Sequence, residues 1–317
     1  MQCPQFNLDY CYSYESEDSR GRMISLLAGK LKMGMFAVPT EEYLKEFRAE
    51  GRSVVQHALN LPPQAKQELW RHLDGKVAEG IQLPYDALRR GCAQSVLEAL
   101  RVSLSPHRME IGKWPVRFSK TRRELVEAVV NDRRWDRLLL HTFSGMELDR
   151  EVSRFEKVVT PHDLVEILGN ARVEGTPVLG NVAKSLVEGR AKEWSTPITP
   201  MAVSIAVVAV AAANMFLNAA WVGYAFLALQ ALFGAGLSYL VFVSDLFGTD
   251  WNWLIVPFNL LPLVFWKWRR KWALWFAGLL VAWEAFMIFH PHRLTDPAYL
   301  VLVGAYIVMY VRMGLRR

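Results

Sequence analysis

PMAVSIAVVAVAAANMFLNAAWVGYAFLALQALFGAGLSYLVFVS, residues 200–244, decides how the rest of the chain is read. No Asp, Glu, Lys or Arg stands anywhere between Glu193 and Asp245. A helix crosses the roughly 30 Å hydrocarbon core of a bilayer in about 20 mostly apolar residues. The uncharged run is therefore long enough for two such helices, Met201–Ala220 and Val222–Val243, with a short turn over Asn218–Gly223 between them. Working outward, Trp251–Trp266 is a third candidate, short and holding Pro257 and Pro262; Trp272–Phe289 and Ala298–Gly314 are a fourth and a fifth. The expectation is an all-α membrane bundle of about five spans over residues 201–317. Before it, residues 1–195 carry charges throughout and suffice to bury a core of their own. Residues 196–200, TPITP, read as the linker.

The formal net charge is +6. Much of the excess sits beside the spans, in Lys267, Arg269, Arg270, Lys271, Arg312, Arg316 and Arg317, so it reads as a topology signal rather than a nucleic-acid surface. Placing both clusters in the cytoplasm turns the His290–Pro297 segment outward. If the third candidate crosses, the Asp245–Asp250 turn and the N-terminal domain also face out. If its prolines make it re-entrant, the parity reverses. Met1–Ser19 has neither a basic start nor an apolar core, so no export signal is read there.

The N-terminal domain mixes strands and helices. Leu8–Tyr14 alternates as a strand, and Ile24–Met35 reads as a helix end followed by a strand, punctuated by Gly29 and Gly34. Thr40 is a candidate cap for a helix reaching about Glu50, with Glu41 and Glu42 in its first turn. Arg52–Leu61 alternates, Gln64–Glu79 sets Ala65, Leu69 and Leu73 on one helical face, and Ala93, Val96, Leu97 and Leu100 repeat at helical spacing after Gly91-Cys92. Thr121–Val130, Arg134–His141 and Pro161–Leu168 are further helices.

The three cysteines, Cys3, Cys11 and Cys92, show no zinc-ligand spacing, and no cofactor or metal site is expected. Cys92 opens a helix just after a glycine, where partial positive charge and orphan N–H groups lower a thiol's pKa and supply oxyanion donors. A free cysteine is more often simply a small buried hydrophobe. His57, His72, His107, His141 and His162 each read as a packed or solvated residue rather than a base. His290 and His292 read as an interface turn rather than a metal pair. Glu284, inside the fourth span, is either functional or reaching the interface, and Asn214, Asn218, Asn252 and Asn259 are candidates for hydrogen bonds between helices.

The pieces also follow a recognisable order. The aromatic strand Asp9-Tyr10-Cys11-Tyr12-Ser13-Tyr14 precedes Leu27-Ala28-Gly29-Lys30-Leu31. Glu41–Phe47, Arg52 and Leu59-Asn60-Leu61 come next, then Tyr85 shortly before Gly91-Cys92, and finally Ser144-Gly145 with Asp149-Arg150. From Asp9 to Thr199 this resembles the periplasmic domain of Lnb-type lipoprotein N-acyltransferases, in which a helical membrane block follows. The resemblance implies a permuted papain-like, NlpC-type α+β fold with Cys92 as nucleophile. It implies a bacterial inner-membrane protein whose N-terminal domain is periplasmic and whose C-terminus is cytoplasmic, moving a fatty acyl chain from a phospholipid to the α-amino group of a lipoprotein's N-terminal cysteine. The family's Asn-Cys pair is Gly91-Cys92 here. Its histidine lies in a Gly-His pair on a strand before the aromatic one, and this sequence begins where the aromatic strand begins. The chain as read is thus expected to lack the family's base, through a start upstream of Met1 or a true loss. A thiol amidase or peptidase, or a non-catalytic envelope protein, are the alternatives.

Overall fold

The computed structural model describes residues 1–16, 21–86, 89, 91–114, 121–130, 133–190, 196–217, 219–264, 269–290 (269 and 270 by backbone) and 296–315. In chain order the elements are β1 (Gln2–Cys3), β2 (Leu8–Glu15), α1 (Arg22–Leu27), β3 (Lys32–Pro39), α2 (Thr40–Glu50), β4 (Val54–Leu59), α3 (Pro63–Glu79), β5 (Leu83–Pro84), α4 (Cys92–Ser103) and β6 (Glu110–Ile111). Then come α5 (Arg122–Val130), α6 (Arg134–Phe143), α7 (Pro161–Gly169), β7 (Ala171–Val173), β8 (Thr176–Pro177) and β9 (Leu179–Val187). The remainder is helical: α8 (Pro200–Leu217), α9 (Ala220–Phe242), α10 (Leu261–Val264), α11 (Arg269–Phe289) and α12 (Pro297–Leu315). The chain is thus mixed helix and sheet, with a helical C-terminal part. It forms two compact units, Met1–Phe118 with Val152–Glu193, and Ser119–Glu151 with Trp194–Arg317. The break in composition near residue 195 is therefore not the break in packing, because α5, α6 and the loop after them belong with the apolar helices.

In the first unit, Tyr10–Glu15 of β2 runs antiparallel to Gly34–Pro39 of β3. β1 covers only the start of the other edge of β2, and β5 pairs with Lys32 and Met33 of β3. β4 finds its partner far away in sequence, in β9. The face predicted on α3 packs inward: Ala65 and Leu69 meet Leu100 of α4 and Leu104 just after it, with Leu168 and Val173. Ala93 and Leu97 form a second cluster with Val158 and Ile167, while Val96 stays exposed. Thr40 does not cap. Helix α2 starts with Thr40 itself in helical conformation, and its hydroxyl donates to Asp9 Oδ1 at 2.5 Å, fastening the helix start to β2.

His107 lies between Glu174 (Nδ1 to Oε1, 2.8 Å) and Glu68 (Nε2 to Oε2, 3.0 Å). Two carboxylates on one ring require both nitrogens to donate, so the bound form is the imidazolium. The bond to Glu174 and then that to Glu68 hold its pKa above the ordinary histidine range against the opposing pull of burial. The folded chain then binds this proton more tightly than the unfolded chain. The stabilisation is complete below the unfolded value of about 6.5 and disappears as pH rises through the raised folded value. The unfolding temperature of the first unit is expected to fall over that window, and His107→Gln should flatten the fall. An identical pH profile in the variant would remove His107 from the account.

Among the described residues of the second unit four helices are long and apolar enough to cross a membrane: α8, α9, α11 and α12. α12 is the central one. Gly223 of α9 faces Met309, Phe226 packs edge-on against Tyr306, and Gly314 faces Leu274 of α11. These pairs make α12 antiparallel to both α9 and α11. One end of the bundle therefore carries Lys271 and the C-terminus of α12. The other end carries the start of α8, the end of α9, the end of α11 and the start of α12.

Among the described residues the expected five candidate spans are four. The third candidate holds only a single 3-10 turn, Trp253–Ile255, and the four-residue α10; Phe265 and Trp266 lie outside the described residues. Proline at 257 and 262 removes backbone donors and blocks a continuous helix. Even so, the chain passes from the end of α9 to the start of α11, at the opposite end of the bundle. Its freed backbone groups are met by protein instead of lipid. Gln230 Nε2 donates to Pro257 O at 3.0 Å, Trp283 Nε1 to Trp253 O at 2.8 Å, and Asn252 and Asn259 accept from the amides of Leu254 and Leu261. Gly234 lets this segment lie against α9, since a Cβ there would overlap the Phe258 carbonyl.

The asparagines divide accordingly. Asn214 reaches Met309 on α12 at 3.8 Å, Asn252 donates to Thr142 O of α6 at 2.7 Å, and Asn259 bonds locally to Val256 O. Asn218 lies outside the described residues, as do Lys267, His292, Arg316 and Arg317.

Candidate functional site

Cys92 is the first residue of α4. Gly91 before it is extended, and its carbonyl accepts the first helical bond, from Ser95, at 3.0 Å. Gln94 was not singled out from the sequence, although an amide side chain three residues after a helix-initiating glycine fits the capping pattern. It is fully buried. Its Oε1 accepts from the Gly91 amide at 2.9 Å, and its Nε2 donates to Glu156 O at 3.2 Å. The turn that presents the thiol is thereby fixed from both sides.

The thiol faces a cavity of about 470 Å³ whose walls include Tyr12, Tyr14 and Glu15 of β2, Arg22 of α1 and Arg52. Burial, and then the Glu15 carboxylate, push the Cys92 pKa up, outweighing the bond from the residue's own backbone amide. The lowered thiol pKa expected from the helix start is thus not what the surroundings give. Burial, and then the charge of Cys92, raise the Tyr85 pKa, so it is a neutral hydroxyl.

A second cavity, about 380 Å³, lies behind the first. The two share Tyr12, Tyr14, Tyr43, Val96 and Leu164 as a wall. The second is mostly apolar, lined by Leu69, Leu73, Ala99 and Leu100 among others. The aromatic strand read from the sequence therefore borders both spaces, with Cys92 opening only onto the front one.

The histidines do not gather at the thiol. Among the described residues lining the Cys92 cavity there is none; His57, on β4, lines the rear cavity. His107 is held by its two glutamates. His141 is buried on α6 of the other unit, with Nε2 3.1 Å from Glu127 Oε1, and this contact is the main reason the Glu127 pKa is lowered. His290 stacks on Phe286 and bonds its carbonyl at 2.9 Å. Glu284 is half-buried on α11 beside Gly304. The Ser144-Gly145 and Asp149-Arg150 pieces lie in the second unit, where they are structural. Arg123 donates to Asp149 Oδ1 at 2.7 Å and to Gly145 O at 3.1 Å, and Arg122 pairs with Glu147 at 3.2 Å.

No family model, curated protein or solved structure matches this chain.

Proposed function

We propose that the chain is a membrane-bound thiol acyltransferase of the Lnb type, with a permuted papain-like N-terminal domain. Cys92 attacks an ester carbonyl of a phospholipid. The acyl group becomes a thioester on Sγ, and the lysophospholipid leaves with the proton. The α-amino group of a lipoprotein's N-terminal cysteine then attacks the thioester, giving the N-acyl amide and the free thiol. The observation that carries this reading is the pair of cavities. A nucleophile at a helix start opens onto a polar space, and directly behind that space lies an apolar one of a size suited to an acyl chain. Orphan amides at the start of α4 are the natural donors to the oxyanion.

The raised thiol pKa makes a base necessary. Met1 exchanges backbone bonds with Tyr10, at 2.8 and 3.0 Å. Any residues preceding Met1 that continued this ladder would run beside Tyr12–Glu15, the strand bordering the Cys92 cavity. For sidedness, the basic residues at the Lys271 end of the bundle support a cytoplasmic assignment. On this reading the start of α8, and the N-terminal domain before it, face the periplasmic side of a bacterial inner membrane. The arginines of Ser119–Glu151 pack with the apolar helices but stand far before α8 in sequence, in a long polar segment to which the charge rule does not extend.

The test uses protein isolated from its native membrane, given a diacyl phospholipid and a diacylated lipopeptide. Mass spectrometry is expected to find an acyl adduct on the Cys92 peptide and an N-acylated lipopeptide. Val96→Trp, at the shared wall, should slow transfer of long acyl chains on the order of tenfold and spare short ones. A cleaved peptide with no acyl product would instead indicate an amidase. The raised thiol pKa and the lack of histidine among the described residues of the cavity favour a second reading, a non-catalytic membrane-anchored domain. No adduct on Cys92 in the native protein would establish that one.

A further inference from the structure

We propose that α6 is an interfacial helix whose Trp135–Leu139 edge inserts into the same lipid leaflet that α8 enters, with Arg134 at the phosphates. This is independent of the acyltransferase reading. The sequence of α6, RWDRLLLHTF, sorts into two sides. One side is fixed to the bundle. Leu138 packs on the apolar helix core, and Thr142 is buried in a hydrogen bond with Tyr299 of α12. Thr142 O receives Asn252, and Arg137 pairs with Asp296, next to the start of α12, at 3.0 Å. On the other side the Trp135 indole bonds Ile198 O of the same unit. Leu139 is 54% exposed, and Trp135, one turn before it, is exposed along with Arg134.

The depth of this edge is set by one bond. The Trp135 indole donates to Ile198 O at 2.9 Å, two residues before α8 begins, and Ile198 is itself exposed. α8 has 18 residues and spans about 27 Å, so its first turn sits at the edge of the hydrocarbon core. An indole held at that level has its ring in the acyl boundary and its polar edge toward the headgroups, as in the aromatic belts of membrane proteins. Trp251 and Phe289, exposed at the same end of the bundle, continue that belt. The occupant of the α6 edge is therefore lipid, by continuity with the apolar surface of α8.

The experiment uses the full chain in vesicles of phosphatidylethanolamine and phosphatidylglycerol. A nitroxide at Leu139→Cys, with the native cysteines replaced by serine, is compared with one at Asp136→Cys. The label at 139 is expected about 5–10 Å below the phosphates, protected from a water-soluble nickel chelate and open to oxygen, with the label at 136 in water. A diazirine phospholipid carrying its photolabel near the glycerol, applied to the unsubstituted protein, should mark the peptides that contain Trp135 and Leu139, which guards against a folding defect in the variants. Equal nickel access at 139 and 136, or no lipid adduct on these peptides, overturns the proposal. Protection of 139 from both nickel and oxygen overturns it too, since protein would then cover the edge.

Discussion

Cys92→Ala is expected to abolish thioester formation and to lower lipopeptide N-acylation on the order of 10³-fold or more. The residue stands at the first position of α4 and belongs to neither buried cluster of its unit. Stability should therefore change by no more than about 0.5 kcal/mol. Loss of activity with an unchanged unfolding profile separates a nucleophile from a packing residue. Since burial holds the wild-type thiol up, alkylation of the Cys92 peptide by iodoacetamide should be slow near neutrality and rise as pH climbs through the raised value. Full acyl transfer by Cys92→Ala would end the thioester mechanism outright.

Gly145→Ala is expected to destabilise the second unit by about 3 kcal/mol or more, at the upper end of overpacking effects. The Gly145 amide donates to Gly248 O at 2.6 Å, and the next amide, of Met146, donates to Asp250 O at 3.0 Å. A Cβ at 145 would overlap the Asp250 carbonyl oxygen and stand 2.7 Å from its carbon and 2.8 Å from the Thr249 carbonyl carbon. These are backbone atoms, so no rotamer change relieves the clash. The two chain segments would have to part, and the buried Arg123, which donates to Gly145 O, would lose a partner. Gly278→Ala on α11 is the control, because nothing lies within 4 Å of its Cβ position. In detergent the first variant should unfold at a clearly lower temperature and the second should match the parent or exceed it slightly. Equal behaviour of the two would refute the close approach at Gly145.

The helical periods were legible because they depend on local chemistry: α3, α5, α6 and α7 stand within about two residues of where their apolar spacing and turn residues put them. The cavity around Cys92 was only half legible. Gly91-Cys92 before an apolar run announces a helix start, but the pKa of a thiol depends on what surrounds it. Glu15 and the tyrosines of β2 come to it across more than 70 residues of chain. The partner of β4 was beyond reach for the same reason. Strand pairing leaves no mark in either strand alone, and β9 is more than 100 residues away.

Sequence by itself determined the membrane assignment, since an uncharged run of this length has few other solvents, while Pro257 and Pro262 left the third segment open between a fifth span and a re-entrant element. Only the tertiary structure decided that this segment still carries the chain from one end of the bundle to the other. Its exposed carbonyls need donors such as Gln230 and Trp283, which no local pattern identifies. Only the tertiary structure, too, assigned Ser119–Glu151 to the apolar helices. Charge composition marks where lipid stops. Which polar segment packs on the helix ends is decided by Arg137 with Asp296, Asn252 with Thr142, and a glycine whose missing side chain lets two backbones meet.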